Sequence, residues 1–181
     1  MDKALYELLA SNRDKEELAA INTRNEIIGR QFGLSLTREE TGALLAARQE
    51  SLKKHQRVEF GRGILDKLMF VFCDSQYISR QDYARTLARL QDIFYACKNE
   101  AQDRLTDEEL LAFMKDQFET VCFGDMEYLE GTCLARFSAA ARAGYRGYEA
   151  SGGKGEYEAL SEEQHWDGEL YLEALKELFW E

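Results

Sequence analysis

The stretch from Arg57 to Ser75 constrains this chain more than any other, because it contains the longest apolar run, Leu68 to Cys73. Ile64, Leu65, Leu68, Met69 and Phe72 recur at the spacing of one helical face, and Phe70, Val71 and Cys73 fill the opposite side. A helix that is apolar all round must be buried in a core or in a bilayer. This one is far shorter than the ~20 residues that a bilayer span takes. A buried strand would also account for six apolar residues in a row, but the run holds one β-branched residue, Val71, which favours a helix. The expectation is a central buried helix over about 62–74, around which the remaining elements pack.

The rest of the chain reads as helix. Leu5, Leu8 and Leu9 form the inward face of a short helix over 2–10. A second helix, capped by Asn12 or Asp14, runs to Phe32-Gly33 with a weak point at Asn22 to Asn25. Thr37 and Glu40 form a capping box, a hydroxyl at the N-cap with a glutamate three residues on, and open a helix that fades near His55. Ser79 opens the helix with the clearest pattern. Its Tyr83, Leu87, Leu90, Phe94 and Cys97 alternate steps of four and three. Thr106 and Glu109 form a second capping box, before Leu110, Leu111, Met114 and Phe118. Met126, Leu129, Cys133, Phe137 and Ala140 mark the next helix, closed by Gly144.

Five of the 13 glycines then fall between Gly144 and Gly155, which reads as a linker over 145–160. It leads to a C-terminal amphipathic helix over 161–181 with Trp166, Tyr171, Leu175, Leu178 and Phe179 as its apolar side, a candidate interaction helix. The fold class is therefore all-α, an irregular bundle of seven to eight helices, with residues 1–144 as its core domain. Proline is absent, where average usage would give about nine.

Charge narrows the partners. The net charge is −11, and it is uneven: residues 1–100 carry +1 and residues 101–181 carry −12. An acidic half repels phosphate backbones and anionic lipid heads, which argues against nucleic acid and membrane surfaces. The same acid also serves simply to keep helices soluble. The N-terminal apolar segment is broken by Glu7 and is no signal peptide. Cys73, Cys97, Cys122 and Cys133 show no C-x-x-C spacing, as expected of reduced core thiols in a cytoplasmic protein.

No phosphate-binding glycine loop, nucleophile elbow or zinc-binding histidine pair is present. The two histidines, His55 and His165, lie in separate segments, and one Glu-x-x-His at Glu162 falls short of the two that a di-iron bundle needs. No catalytic, cofactor or metal residues are assigned. Arg57 and Glu59 before the apolar run, with Asp74, Ser75 and Tyr77 after it, form a candidate polar pocket. The competing reading is an Asx-type turn from Asp74 to Ser79.

Several segments taken together resemble a known family: Gly33 to Thr37, Arg57 to Gly61, Phe72 to Ser75, Ile93 to Tyr95, Lys98 to Glu100 and Thr106 to Leu110. They are similar to a family of small bacterial proteins, mainly from clostridia-like anaerobes, described only as a domain of unknown function. The resemblance covers about residues 20–145. It implies a bacterial, cytoplasmic protein and brings no activity, cofactor or catalytic residue with it. Two functional readings remain. One is a non-catalytic interaction or regulatory protein that binds another protein or a second copy of itself. The other is a small-ligand-binding protein or carboxylate-based enzyme using the pocket near Asp74 and Tyr77.

Overall fold

A computed structural model of the protein describes residues 3–59 and 63–144, apart from the side chains of residues 3 and 5–11. The expected inward face of Leu5, Leu8 and Leu9, the linker, and the C-terminal helix with Trp166, Tyr171, Leu175, Leu178 and Phe179 lie outside the described residues. Every described element is helical. The chain divides into two compact units, residues 1–91 and 92–181.

The first unit opens with α1, Lys3–Phe32, one helix of 30 residues where the sequence pattern predicts two. The expected break at Asn22 to Asn25 does not occur, because these polar side chains find partners that leave the helical ladder intact. The Thr23 hydroxyl donates to the Ala19 carbonyl. The Asn25 amide reaches out of the helix, donating to the Leu36 carbonyl and accepting from the Leu36 N–H. That pair of bonds ties the following loop to the helix. Gly33, with φ of 71°, takes the left-handed position that ends α1, and its N–H reaches the Gly29 carbonyl.

The capping box at Thr37 forms as expected: the Glu40 N–H donates to the Thr37 hydroxyl, and the Glu40 carboxylate accepts from the Thr37 N–H. It opens α2, Arg38–Lys54, which buries Leu44 and Leu52. The apolar run forms α3, which spans only Leu65–Val71, seven residues, rather than the wider range 62–74. Ile64 at its start offers no side-chain cap, and Phe72 leaves the helix into the turn that leads to Ser75. Leu65, Leu68, Met69 and Phe72 are fully buried, as the face pattern predicts, and α3 packs on α1. Phe70 is half-buried, with the Arg24 guanidinium 5.0 Å from its ring centre.

The helix expected from Ser79 begins at Tyr83 instead: α4 is Tyr83–Glu100. The Ser79 hydroxyl accepts the Asp82 N–H in a turn just before the helix. The four-and-three seam is buried throughout, with Tyr83, Leu87, Leu90, Phe94 and Cys97 at 2% exposure or less.

In the second unit, Thr106 and Glu109 form the other capping box and open α5, Asp107–Thr120. Leu110, Leu111, Met114 and Phe118 are buried, and Phe113 stacks on Phe137 with ring centres 3.9 Å apart. The last described helix, α6, covers residues 126–142. It starts as Met126–Tyr128, widens into a π-helical turn over Leu129–Leu134 and resumes as Ala135–Arg142. A π turn holds one residue more than the α pattern assumes. The buried face accordingly moves by one position, so that Ala141 is fully buried where the α spacing selects Ala140. Gly144, with φ of 100°, closes the helix as predicted. No described helix is long and apolar enough to cross a membrane.

Candidate functional site

The polar residues expected around the apolar run take two different roles. Glu59 joins a buried ion cluster. Arg48, on α2, donates from Nε to the Glu59 carboxylate at 2.8 Å and from Nη1 to the carboxylate of Glu17 on α1. The Arg48 and Glu17 side chains are only 3% and 5% exposed. Charges so deeply buried are stable only when paired, and removing one partner leaves the others stranded at a cost of about 3–5 kcal/mol. Gly63 closes the cluster from the loop side: a Cβ there would stand 2.4 Å from a Glu17 carboxylate oxygen. Arg13 adds a bond to the Glu59 carbonyl. The arrangement is a clamp that ties Glu59 to α1 and α2.

Arg57 is half-buried, and its N–H bonds the Leu52 carbonyl at the end of α2. After α3, Ser75 is buried, and its hydroxyl accepts the Tyr77 N–H. Asp74 and Tyr77 are exposed. Nearby on the first unit, an open groove of about 480 Å³ runs along α1 beside α3, lined by Ala19, Ala20, Thr23 and Ile27. One wall is the Arg24–Asp66 ion pair, at 2.9 Å.

Left-handed backbone at non-glycine residues occurs at Gln56, Gln102, Asp103 and Phe123, the last in the turn from α5 to α6. The Cys122 N–H bonds the Gln117 carbonyl, and the Gly124 N–H reaches back to the Phe118 carbonyl. Such a closure needs a left-handed residue, usually glycine, just beyond the helix. Here Phe123 holds it, with φ of 48°, followed by Gly124 at 85°. A β-carbon in that region costs about 1–2 kcal/mol. The Phe123 ring is also 65% exposed, and Tyr128, five residues on, is 46% exposed. Asp125 caps α6 by accepting the N–H groups of Glu127 and Tyr128, which fixes the start of the helix against the turn.

Directly behind Phe123, the Cys122 sulfur lies 3.7 Å from that of Cys133, which sits within the π turn of α6. Neither is in a disulfide and both are buried; Cys97, also buried, and the half-buried Cys73 are likewise not in disulfides. The two sulfurs differ electrostatically. The hydrogen bond shared with Cys122 and the nearby Arg136 cation hold Cys133 below the ordinary thiol range. The hydrogen bond with Cys133, together with burial and the Asp125 carboxylate, pushes Cys122 up. Cys97, by contrast, is pushed up to about 11, mainly by burial. On α5, burial raises the carboxyl of Asp116 to about 6. Among the described residues, no cluster of three or more His, Cys, Asp or Glu side chains is arranged to hold a metal ion.

Sequence reasoning did not find the Glu17–Arg48–Glu59 clamp, the Phe123 turn or the Cys122–Cys133 pair. The clamp joins residues 31 and 11 positions apart, and the sulfur pair joins residues 11 apart, so no short motif marks either of them. The Phe-Gly dipeptide after α5 was the available sign of the turn, since glycine there signals a left-handed closure.

Comparison with known proteins adds one finding. Neither the curated proteins nor the solved structures contain a significant match to the chain. The family model of DUF6323, a family of unknown function, matches residues 17–147, which takes in every described feature above except Arg13 and the start of α1; the chain is a member of that family.

Proposed function

We propose that this is a non-catalytic interaction protein that docks another protein through the turn between α5 and α6. The observation that carries the reading is Phe123. Its backbone takes a conformation that favours glycine, and its ring is 65% exposed. Strained backbone retained at a surface is a mark of functional sites. An exposed aromatic is the side chain that most often anchors a protein–protein contact. The partner that fits is a protein presenting an apolar pocket wide enough for a phenyl ring, with Tyr128 supplying a second, amphipathic contact. A bacterial, cytoplasmic setting belongs to the same proposal. None of the four cysteines is in a disulfide, even where the Cys122 and Cys133 sulfurs lie 3.7 Å apart, which supports a reducing compartment.

Phe123→Gly tests it. If the ring serves docking, the glycine variant keeps its fold, gains up to about 1 kcal/mol in urea denaturation from relief of the left-handed residue, and loses the co-purifying protein. A loss of more than about 1 kcal/mol would show that the ring is structural and overturn the reading. A dimer that becomes a monomer in the variant would identify the partner as a second copy of the chain.

A further inference from the structure

We propose that Cys122 and Cys133 form a reversible dithiol–disulfide site that is oxidised by hydroperoxides. The inference stands apart from the docking reading, because it depends on the two sulfurs and not on the Phe123 ring.

Three observations carry it. The sulfurs are 3.7 Å apart and unbonded, so an approach of less than 2 Å brings them to the bonded distance of about 2.05 Å. The two cysteines sit on the parts of the unit best able to supply that movement. Cys122 lies in the turn beside the left-handed Phe123 and Gly124. Cys133 lies in the π turn, whose extra residue gives the helix a second register to settle into. The flanking charges also divide the work. The Arg136 cation favours the Cys133 thiolate, whereas burial and the Asp125 carboxylate disfavour that of Cys122. Cys133 is therefore the attacking sulfur and Cys122 the resolving one.

The chemistry balances with a hydroperoxide as the sole oxidant. The Cys133 thiolate attacks one peroxide oxygen, forming an S–O bond and breaking the O–O bond. The departing hydroxide takes up a proton as the first water, and Cys133 is left as a sulfenic acid. Cys122 then attacks that sulfur. The S–S bond forms, the S–O bond breaks, and the leaving hydroxide takes the Cys122 proton as the second water. Two thiols and hydrogen peroxide become one disulfide and two waters. The cysteines are only 6% and 5% exposed, which favours a small oxidant such as hydrogen peroxide over a bulky tripeptide disulfide such as oxidised glutathione. Cys97 is more deeply shielded and hydrogen-bonded to Ser138, and it takes no part.

The test uses the full-length reduced protein and one equivalent of hydrogen peroxide, followed by alkylation of the remaining thiols and peptide mass spectrometry. The expected product is an intramolecular Cys122–Cys133 crosslink, lighter by two hydrogens and fully reversed by dithiothreitol. Closing so short a loop raises the melting temperature by about 5 °C. Cys122→Ser strands the oxidised Cys133, which a 1,3-dione reagent traps as the sulfenic acid; Cys133→Ser gives no such adduct at Cys122. The proposal is overturned if peroxide oxidises Cys73 while Cys122 and Cys133 stay alkylatable, or if the crosslink joins two molecules. It is overturned equally if oxidised glutathione modifies Cys133 as fast as peroxide does. The wild-type crosslink decides the matter even if neither serine variant folds.

Discussion

Replacing Gly63 by alanine should destabilise the protein far more than one methyl group ordinarily does. The new Cβ would lie 2.4 Å from a Glu17 carboxylate oxygen and 2.6 Å from both the guanidinium carbon and one nitrogen of Arg48. Ordinary non-bonded contacts with carbon lie at about 3.5–4.0 Å, so something must retreat by about an ångström. The atoms in the way are the ends of long side chains, which on a surface would swing aside at little cost. These cannot, because they are 3% and 5% exposed and bound to each other. If Arg48 moves, it strains its 2.8 Å bond to Glu59; if Glu17 moves, its buried charge leaves the Arg48 guanidinium that pairs with it. Overpacking alone costs about 1–3 kcal/mol, and breaking a buried ion pair costs about 3–5 kcal/mol. Partial displacement of the clamp places Gly63→Ala between them, at about 2–4 kcal/mol.

Urea denaturation measures this directly, with an unchanged slope confirming that the denatured state is unaffected. Gly42→Ala is the matching control. It lies within α2 with nothing near its added Cβ, so it should gain about 0.5–1 kcal/mol from helix propensity. The decisive comparison is Gly63→Ala in an Arg48→Ala background, where the obstructing guanidinium is gone. There the alanine should cost less than about 1 kcal/mol, giving a coupling of at least about 1–2 kcal/mol between the two sites. An equal loss in both backgrounds would refute the clash as the cause, and a loss below about 0.5 kcal/mol in the otherwise wild-type chain would show that the clamp yields freely.

Two further outcomes follow from buried groups. Phe72 is fully buried at the end of α3, so Phe72→Ala should cost about 3–5 kcal/mol in the same assay; a cost below about 1 kcal/mol would make the apolar run peripheral. Asp116 is an acid whose folded-state pKa is raised, from 3.8 to about 6, so the fold prefers it protonated. Its contribution is fully present below about pH 4 and is lost as pH rises towards 6, so stability falls across that window. Allowing for its partial exposure, Asp116→Asn should stabilise the protein by about 1–2 kcal/mol at pH 7 and by nothing measurable at pH 4, read from urea midpoints at the two pH values. A variant no more stable than the wild type at pH 7 would contradict the burial of that carboxyl.

What was legible in the sequence is what the chain decides within a few residues. A capping box closes over three positions, so Thr37 and Thr106 could be read directly, and Gly33 and Gly144 end their helices because a left-handed residue is a local demand. The buried seam from Tyr83 to Cys97 follows from spacing alone, although the helix starts four residues after Ser79, since a hydroxyl serves a turn as readily as a cap. Decisions made across the fold were hidden. Asn25 looked like a helix breaker until Leu36, 11 residues away, took up its amide. Arg48 reads as one more cation on an amphipathic helix, and only the approach of α1 and of the Glu59 segment makes it a buried hub.

The π turn belongs to the same class, and here fold and chemistry meet. Leu129 and Cys133 fit an uninterrupted α pattern, and nothing nearby in sequence announces the extra residue. Its effect appears only downstream, in the one-position shift from Ala140 to Ala141, and across the unit, where Cys133 comes to rest against Cys122. A regular α-helix through this segment would turn every later residue by about 100° relative to the face that packs. It would carry Phe137 and Ala141 away from the face on which Leu129 is buried, whereas with the extra residue all three are buried. The irregularity keeps the core contacts on either side of it in register, and Cys133 lies within it, so the feature least visible in the sequence carries one of the two thiols of the proposed dithiol site.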